Sequence, residues 1–237
     1  MAIKKREEEG LPEYFATFAD MMTLLMTFFV LLFSMATLDP VKMSDMAAAM
    51  EENLLGKERQ ERAKVKTQSD IRDEVNEAIE QTQMREFAEV THSPKGTSIT
   101  IDSRFAFTVG SAELSSAIFP FLNSIVPIMM DQGNRFPIAV EGHTDNLPTV
   151  GEIAARYPTN WELSAARAAS VVRYFIERGV PGGKLRAVGF AEWIPAGTSW
   201  FESRAGLVTE EYVRAGNSTE ELRTANRRVE ITFLQVG

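Results

Sequence analysis

The alternation of apolar and polar residues divides the chain into three unlike parts. Residues 15–38 form an almost unbroken apolar run. Lys, Arg, Glu and Gln dominate the next long stretch, so residues 57–95 are predicted to be a charged linker that cannot build a core. From Gly96 onward, apolar residues recur with the periods of strands and helices, which predicts a compact domain over 96–237.

The apolar run is long enough to cross a membrane. As a helix it would reach about 36 Å, against a hydrocarbon core of about 30 Å. A cleaved signal peptide is the main alternative, but its apolar region is usually about 7–15 residues long. We therefore predict a retained transmembrane helix over 15–38. The basic residues Lys4, Lys5 and Arg6 precede it, which predicts a cytoplasmic segment over 1–14 and the rest of the chain outside the cytoplasm.

One acidic residue, Asp20, interrupts this run, although an aspartate at the centre of a membrane helix costs about 2.5–3.5 kcal/mol on insertion scales. At about 100° per residue, an arc of roughly 60° contains Asp20 and three hydroxyl-bearing residues. These are Thr23, Thr27 and Ser34. A polar stripe of this kind faces protein or water, so its carboxylate can bind and release a cation if partner helices enclose the path. Hydration of Asp20 near the headgroups is the simpler alternative.

The segment TFADMMTLLMTFFVLLFSM, residues 17–35, resembles the membrane segment of the MotB/PomB family, the B subunits of bacterial flagellar stators. The resemblance implies that Asp20 binds the transported ion beside Thr23, and that the B subunit is a homodimer surrounded by A-type (MotA/PomA-like) subunits. Phe18 is more typical of sodium-type members than Tyr, so the implied ion is Na⁺, with H⁺ as the alternative. The implied setting is the bacterial inner membrane, with the C-terminal domain in the periplasm.

A short amphipathic helix is predicted over residues 40–56, after Pro40 ends the membrane helix. Its apolar positions recur at helical spacing. They include Met43, Met46, Met50 and Leu54. The counterpart in the MotB/PomB family is the plug, which blocks ion leakage until the stator is assembled. A helix that lies on the bilayer surface or packs on a neighbour is the alternative.

The region 96–237 is predicted to be an α+β domain of βαβαβ type, with a mixed sheet covered by helices. Strands are predicted at 96–102, 135–145, 184–195 and 227–234, and helices at 115–133 and 160–180. In the second helix, Asn160 is predicted to be the N-cap. Four apolar residues are predicted to line one face of this helix, namely Ala165, Ala169, Val172 and Ile176.

Four motifs in this domain resemble the OmpA-like peptidoglycan-binding family. They are GHTDN at 142–146, NWELSAARA at 160–168, VGFAEWIP at 188–195 and NRRVEI at 226–231. The resemblance implies that the domain grips the stem peptide of peptidoglycan, often at diaminopimelate, whose end carries an ammonium and a carboxylate. The implied principal contacts are Asp145 and Arg167, and the implied lesser contacts are Thr144, Asn160 and Leu163. An arginine suits the carboxylate because its guanidinium can bind it bidentately.

Simpler interpretations of these residues stay open. Asp145 and Arg167 could form a structural salt bridge, and Asn160 could be only a helix cap. Four nearby charged or polar residues could simply be solvated, namely Glu141, His143, Arg227 and Arg228. Ala191 stands where the family commonly has glycine. The insertion at about 197–221 could pack over the sheet edge, bind a partner or gate access to the wall site.

Composition narrows the function further. The net charge of −8 argues against a nucleic-acid partner, and the absence of cysteine excludes disulfides and cysteine-ligated zinc. The two histidines show no metal-ligand spacing, and no catalytic constellation or phosphate loop is visible, so neither an enzyme nor a cofactor is expected. We predict a stator B subunit that couples ion flow to torque while anchored to peptidoglycan. A B-type subunit of a non-flagellar ion-driven motor, such as one in phage defence, and a passive membrane-anchored wall tether are the alternatives.

Overall fold

The computed structural model describes residues 13–35, 66–131 and 133–235, which belong to two units divided between Asp39 and Pro40. The described part of the first unit is one helix, α1 (Glu13–Met35). Its stretch Tyr14–Leu32 is long and apolar enough to cross a membrane. All side chains from Tyr14 to Leu32 are exposed, and a helix that is apolar nearly all round needs lipid or protein about it. The predicted plug over 40–56 lies outside the described residues.

The described part of the second unit contains a five-stranded sheet with the order β1-β2-β5-β3-β4. Its strands are β1 (Ala88–Ser93), β2 (Gly96–Asp102), β3 (Ile138–Gly142), β4 (Leu185–Gly189) and β5 (Arg228–Leu234). Only the β3–β4 pair is parallel among these strands, and the other three neighbouring pairs are antiparallel. The predicted α+β class with a mixed sheet is confirmed.

Eight further α-helices follow in the described residues of this unit. They are α2 (Gln68–Gln81), α3 (Ser103–Ala106), α4 (Phe119–Met130), α5 (Gly151–Arg156), α6 (Asn160–Glu177), α7 (Trp200–Arg204), α8 (Glu210–Ala215) and α9 (Glu220–Asn226). Helices α2, α4 and α6 contribute to one apolar core with one face of the sheet. Fully buried members of this core include Ile71, Phe121, Ile125, Phe175, Ile138, Ile231 and Phe233.

The predicted linker over 57–95 is wrong over residues 66–95, which form α2 and β1 of the compact domain. The apolar residues of α2 are few, but they lie on one face, and Ile71 and Val75 are completely buried. Gln68 fastens the helix to the sheet, because its side chain donates to the Phe233 carbonyl at 3.0 Å and accepts from the Thr97 amide at 2.9 Å. The abundant charged residues occupy the solvent side of the helix. The overall composition of the segment therefore did not reveal the narrow apolar stripe on its other side.

Helix α6 also differs from its prediction. Its N-cap is Thr159, which forms a capping box with Glu162, and Asn160 is the first helical residue. The helix buries a different face, formed by Ala168, Val171, Tyr174 and Phe175, whereas Ala165 and Ile176 are exposed.

Two glycines set the position of α6 on the sheet. A Cβ atom on Gly142 would lie 2.1 Å from the carbonyl oxygen of Ser164, and one on Gly189 would lie 2.6 Å from the amide nitrogen of Ala165. Since real Cβ atoms do not approach so closely, only glycine lets the start of α6 rest against the ends of β3 and β4. Both strands end at these glycines, earlier than predicted, and the loop after β3 therefore begins beside α6.

Candidate functional site

Asp145 lies in the loop after β3 and is only 8% exposed. Its Oδ1 atom accepts a hydrogen bond from the Leu147 amide at 3.1 Å, and its Oδ2 atom forms an ion pair with Arg227 Nη1 at 2.6 Å. The Asn160 side chain donates to the backbone carbonyls of Asp145 and Leu147, at 3.1 and 3.0 Å. The loop therefore holds the carboxylate in place before any ligand arrives.

Arg167 projects from α6 towards the segment before α4. Its Nε atom donates to the Ser111 carbonyl at 3.1 Å, and its guanidinium lies over the Phe107 ring, 5.2 Å from the ring centre. Burial lowers the pKa of Arg167, and the nearby charge of Asp145 opposes that shift. Within the described residues, neither terminal guanidinium nitrogen of Arg167 has a hydrogen-bond partner, and no carboxylate forms an ion pair with it. A half-buried cation without a counter-ion favours binding of an anionic group.

The acid and the base are thus kept apart, and the alternative of a structural Asp145–Arg167 salt bridge does not hold. The partner of Asp145 is Arg227, which also pairs with Glu220 of α9 at 2.7 Å. The interpretation of Arg227 as simply solvated is therefore wrong. The position of Arg227 in the NRRVEI motif was a sign that it belongs to the site. The sequence could not show, however, that the chain after α9 brings this motif next to the loop after β3.

The lesser contacts implied by the resemblance lie deeper. Thr144 is 4% exposed, and its hydroxyl is buried without a hydrogen-bond partner among the described residues. Leu163 is 8% exposed, so it supports the site from within. Asn160 positions the loop backbone, which goes beyond the capping role considered for it.

A second cluster of charges occupies the sheet face opposite the main core. Glu141 and His143 are 5% and 1% exposed, so the alternative that they are simply solvated does not hold. Burial raises the pKa of Glu141, against the attraction of Lys95. Burial lowers the pKa of His143 well below its usual range, and the positive charges of Arg228 and Lys95 act in the same direction.

This second cluster resembles a metal site in its residue types. The candidate ligand atoms of Glu141, His143 and Glu230 lie within 4.8 Å of one another. However, Lys95 forms an ion pair with Glu141, and Arg228 Nε lies 2.7 Å from Glu230, so Arg228 is not simply solvated either. The two carboxylates are therefore already balanced by two cations, and a metal ion would have to displace them.

The apolar helix α1 carries a candidate site of its own. The Thr23 hydroxyl donates to the Asp20 carbonyl at 2.8 Å, and the Thr27 hydroxyl donates to the Leu24 carbonyl at the same distance. These hydroxyls satisfy their donors within the helix, so their oxygens can still accept a hydrogen bond or coordinate a cation. The described residues give the Asp20 carboxylate no hydrogen bond and no ion pair. The side chain of Ser34 lies outside the described part.

Both regions match known proteins. Residues 3–54 match the family model described as membrane MotB of the proton-channel complex MotA/MotB, and residues 106–200 match the OmpA family. Motility protein B of Bacillus subtilis is 24% identical over 270 residues, which cover 99% of this chain and 95% of that protein. YtxE, an uncharacterized protein of the same organism, is 28% identical over 244 residues, or 96% of this chain and 90% of that protein. The chain is thus similar to MotB in its N-terminal segment and to the OmpA family in its C-terminal domain.

Solved structures agree on the fold. A MotB-like protein from Desulfovibrio vulgaris has a TM-score of 0.58 at 22% identity, over 71% of this chain and 94% of the other. The cell wall anchor of the T6SS from Pseudomonas aeruginosa has a TM-score of 0.53 at 25% identity, over 69% of this chain and 99% of the other. The two matched families are structural rather than enzymatic.

Proposed function

We propose that this MotB-like protein is the B subunit of an ion-driven stator in the bacterial inner membrane. It anchors to peptidoglycan through the OmpA-type domain and couples ion flow to torque through Asp20. The observation that carries the wall-binding half is the state of Arg167. This half-buried cation lies close to the fixed carboxylate of Asp145, and no described carboxylate forms an ion pair with it.

A zwitterionic group fits this arrangement. The end of a diaminopimelate residue in a stem peptide presents an ammonium and a carboxylate, which would pair with Asp145 and Arg167 respectively. The ammonium has to share Asp145 with Arg227. Arg227 also forms an ion pair with Glu220 at 2.7 Å. It therefore keeps a carboxylate partner when the ligand ammonium replaces it beside Asp145. The exchange therefore leaves no charge unpaired, which keeps its cost low.

The ion-coupling half rests on the polar stripe of α1. A passive tether needs only an apolar anchor, and Asp20 would be a cost in it. One helix cannot enclose an ion path, so the proposal requires a second copy of this chain and MotA-like A subunits, with the N-terminus in the cytoplasm. The family-model match over 3–54 supports this pairing and spans the proposed plug residues Met43, Met46, Met50 and Leu54.

Sodium is proposed as the transported ion because Phe18 precedes Asp20 by two residues. The description of the matched family names a proton channel, so a proton is the competing ion. Swimming speed against sodium concentration at fixed pH, in cells that depend on this protein, distinguishes the two. A speed that rises with sodium supports the proposal, and a speed that is independent of sodium supports protons.

The wall-binding half is tested with purified full-length protein in detergent, sedimented with isolated peptidoglycan sacculi. Arg167→Ala leaves the ligand carboxylate without its partner. Loss of a hydrogen-bonded charge contact in a partly buried site costs about 2–5 kcal/mol, or roughly 30-fold or more in affinity. Arg173→Ala is the matched control, because Arg173 lies on the same helix and its side chain bonds to Ser170. Equal binding by the two variants would remove Arg167 from the site.

A further inference from the structure

The insertion at 197–221 reaches the loop that carries Asp145. Asn217, which follows α8, is 2% exposed, and its Oδ1 atom accepts a hydrogen bond from the Asn146 amide at 3.2 Å. Asn146 directly follows Asp145 in the chain. A side chain of the insertion is therefore bonded to the backbone next to the proposed ligand carboxylate.

Asn217 is itself held firmly. Its Nδ2 atom donates to the Val213 carbonyl at 2.8 Å, and its Oδ1 atom also accepts from Asn226 Nδ2 at 2.8 Å. Asn226 is 1% exposed, and its Oδ1 atom accepts from the Ala196 amide at 2.7 Å. This pair of buried amides joins α8, the end of α9, the segment after β4 and the Asp145 loop. Buried side-chain amides with satisfied hydrogen bonds specify one arrangement of the segments that they join.

The Asp145 loop is thus fixed from two sides. Asn160 of α6 holds the carbonyls of Asp145 and Leu147, and Asn217 holds the amide between them. Asn146 is exposed, so its amide can turn to water if Asn217 is lost. Loss of the Asn217 side chain therefore frees the loop, and the other donor that it leaves, Asn226 Nδ2, keeps its bond to the Gly216 carbonyl at 2.8 Å.

We propose that Asn217 is a positioning residue of the wall-binding site, and that the insertion completes that site by fixing the Asp145 loop. The inference rests on the proposed function, since it assigns Asn217 to the binding of the same ligand. It gives the insertion a role other than covering the sheet edge.

Three variants of the full-length protein test this role. Asn217→Ala removes the acceptor for the Asn146 amide. Asn217→Asp keeps that acceptor, loses the donor to Val213 and buries a carboxyl group, so it is destabilised but still holds the loop. Asn134→Ala is the matched control, because Asn134 is also 1% exposed and bonds two backbone groups, those of Ile128 and Phe136, near the opposite end of β3.

Binding to sacculi is measured well below the melting temperature of each variant. We expect Asn217→Ala to bind about tenfold more weakly, the value of one hydrogen bond at the upper end of its usual range. Asn217→Asp and Asn134→Ala should bind like the wild type despite lower melting temperatures. Normal binding by Asn217→Ala, or equal weakening in Asn134→Ala, would overturn the proposal.

Hydrogen exchange separates failure of this inference from failure of the proposed function. The Asn146 amide should exchange faster in Asn217→Ala and at the wild-type rate in Asn134→Ala, whether or not sacculi are bound. If the wild type does not bind sacculi, the proposed function is wrong. If the Asn146 amide exchanges at the same rate in Asn217→Ala and in the wild type, the positioning role is wrong.

Discussion

The proposed function depends on two carboxylates, those of Asp20 and Asp145, and their surroundings are opposite in kind. Asp20 lies on a helix whose described side chains are all exposed, and its carboxylate has no partner in the described residues. Asp145 is fixed by Arg227, by the Leu147 amide and by the side chain of Asn160, which holds its loop. The first site is incomplete without other chains, whereas the second is organised by its own domain before a ligand binds.

The difference assigns distinct physical tasks to the two residues. A carboxylate without fixed partners can gain and lose a cation as its surroundings change, which an ion carrier requires. A carboxylate fixed beside an unpaired cation can hold one ligand for a long time, which an anchor requires. Changes at Asp20 should therefore alter motor work without altering wall binding, and changes around Asp145 should alter wall binding first.

The largest expected effect is at Asp20. Asp20→Asn keeps the shape of the side chain and loses the titratable charge, so we expect assembly with complete loss of rotation in cells that depend on this protein. Asp20→Glu should retain part of the swimming speed, because the carboxylate is only displaced. Rotation by the Asn variant would show that Asp20 is not the ion carrier.

The next largest effect concerns the independence of the wall-binding domain. A fragment over 96–237 lacks α2 and β1 and exposes the core against which Ile71 and Val75 pack. Burial of each large apolar side chain contributes about 1.5–3 kcal/mol, and a domain is stable by only about 5–15 kcal/mol in total. We expect a fragment over 60–237 to melt cooperatively by circular dichroism and the 96–237 fragment to show no cooperative transition. Similar melting curves would mean that the 66–95 segment is dispensable.

A smaller effect concerns the pH dependence of the domain. The folded-state pKa of His143 is lowered by burial, so the native state binds fewer protons than the unfolded chain below the usual histidine pKa of about 6.5. Stability is therefore present above that pH and is lost as the pH falls, by at most about 1.4 kcal/mol per pH unit. Glu141, whose pKa burial raises, acts in the opposite direction at lower pH.

His143→Gln should reduce this loss. The free energy of unfolding of the 60–237 fragment is measured by urea titration between pH 7.5 and 5.5, for the wild type and for His143→Gln. The difference between these two fragments at pH 7.5 is the baseline. The wild type should lose more stability than the variant over this range. Parallel losses would show that His143 is protonated in the folded state as readily as in the unfolded chain.

Sequence was sufficient where the signal is local. The apolar run and the glycine-containing motifs are continuous in the chain, so they predicted the N-terminal apolar helix and the fold of the domain. The sequence did not predict the features that depend on contacts between distant parts of the chain. The many charged residues of α2 made its apolar stripe at Ile71 and Val75 hard to recognise. No local pattern could show that Arg227 pairs with Asp145 or that Asn217 bonds to the Asn146 amide.

If wall binding and ion coupling use separate carboxylates, sedimentation of full-length variants with sacculi should separate the two functions. We predict that Asp20→Asn, although unable to drive rotation, binds sacculi like the wild type. Asp145→Ala and Arg167→Ala should remain folded and bind roughly 30-fold or more weakly, because each leaves one ligand charge unpaired. Normal binding by both of these variants, or loss of binding by Asp20→Asn, would show that wall binding does not depend on Asp145 and Arg167 separately from Asp20.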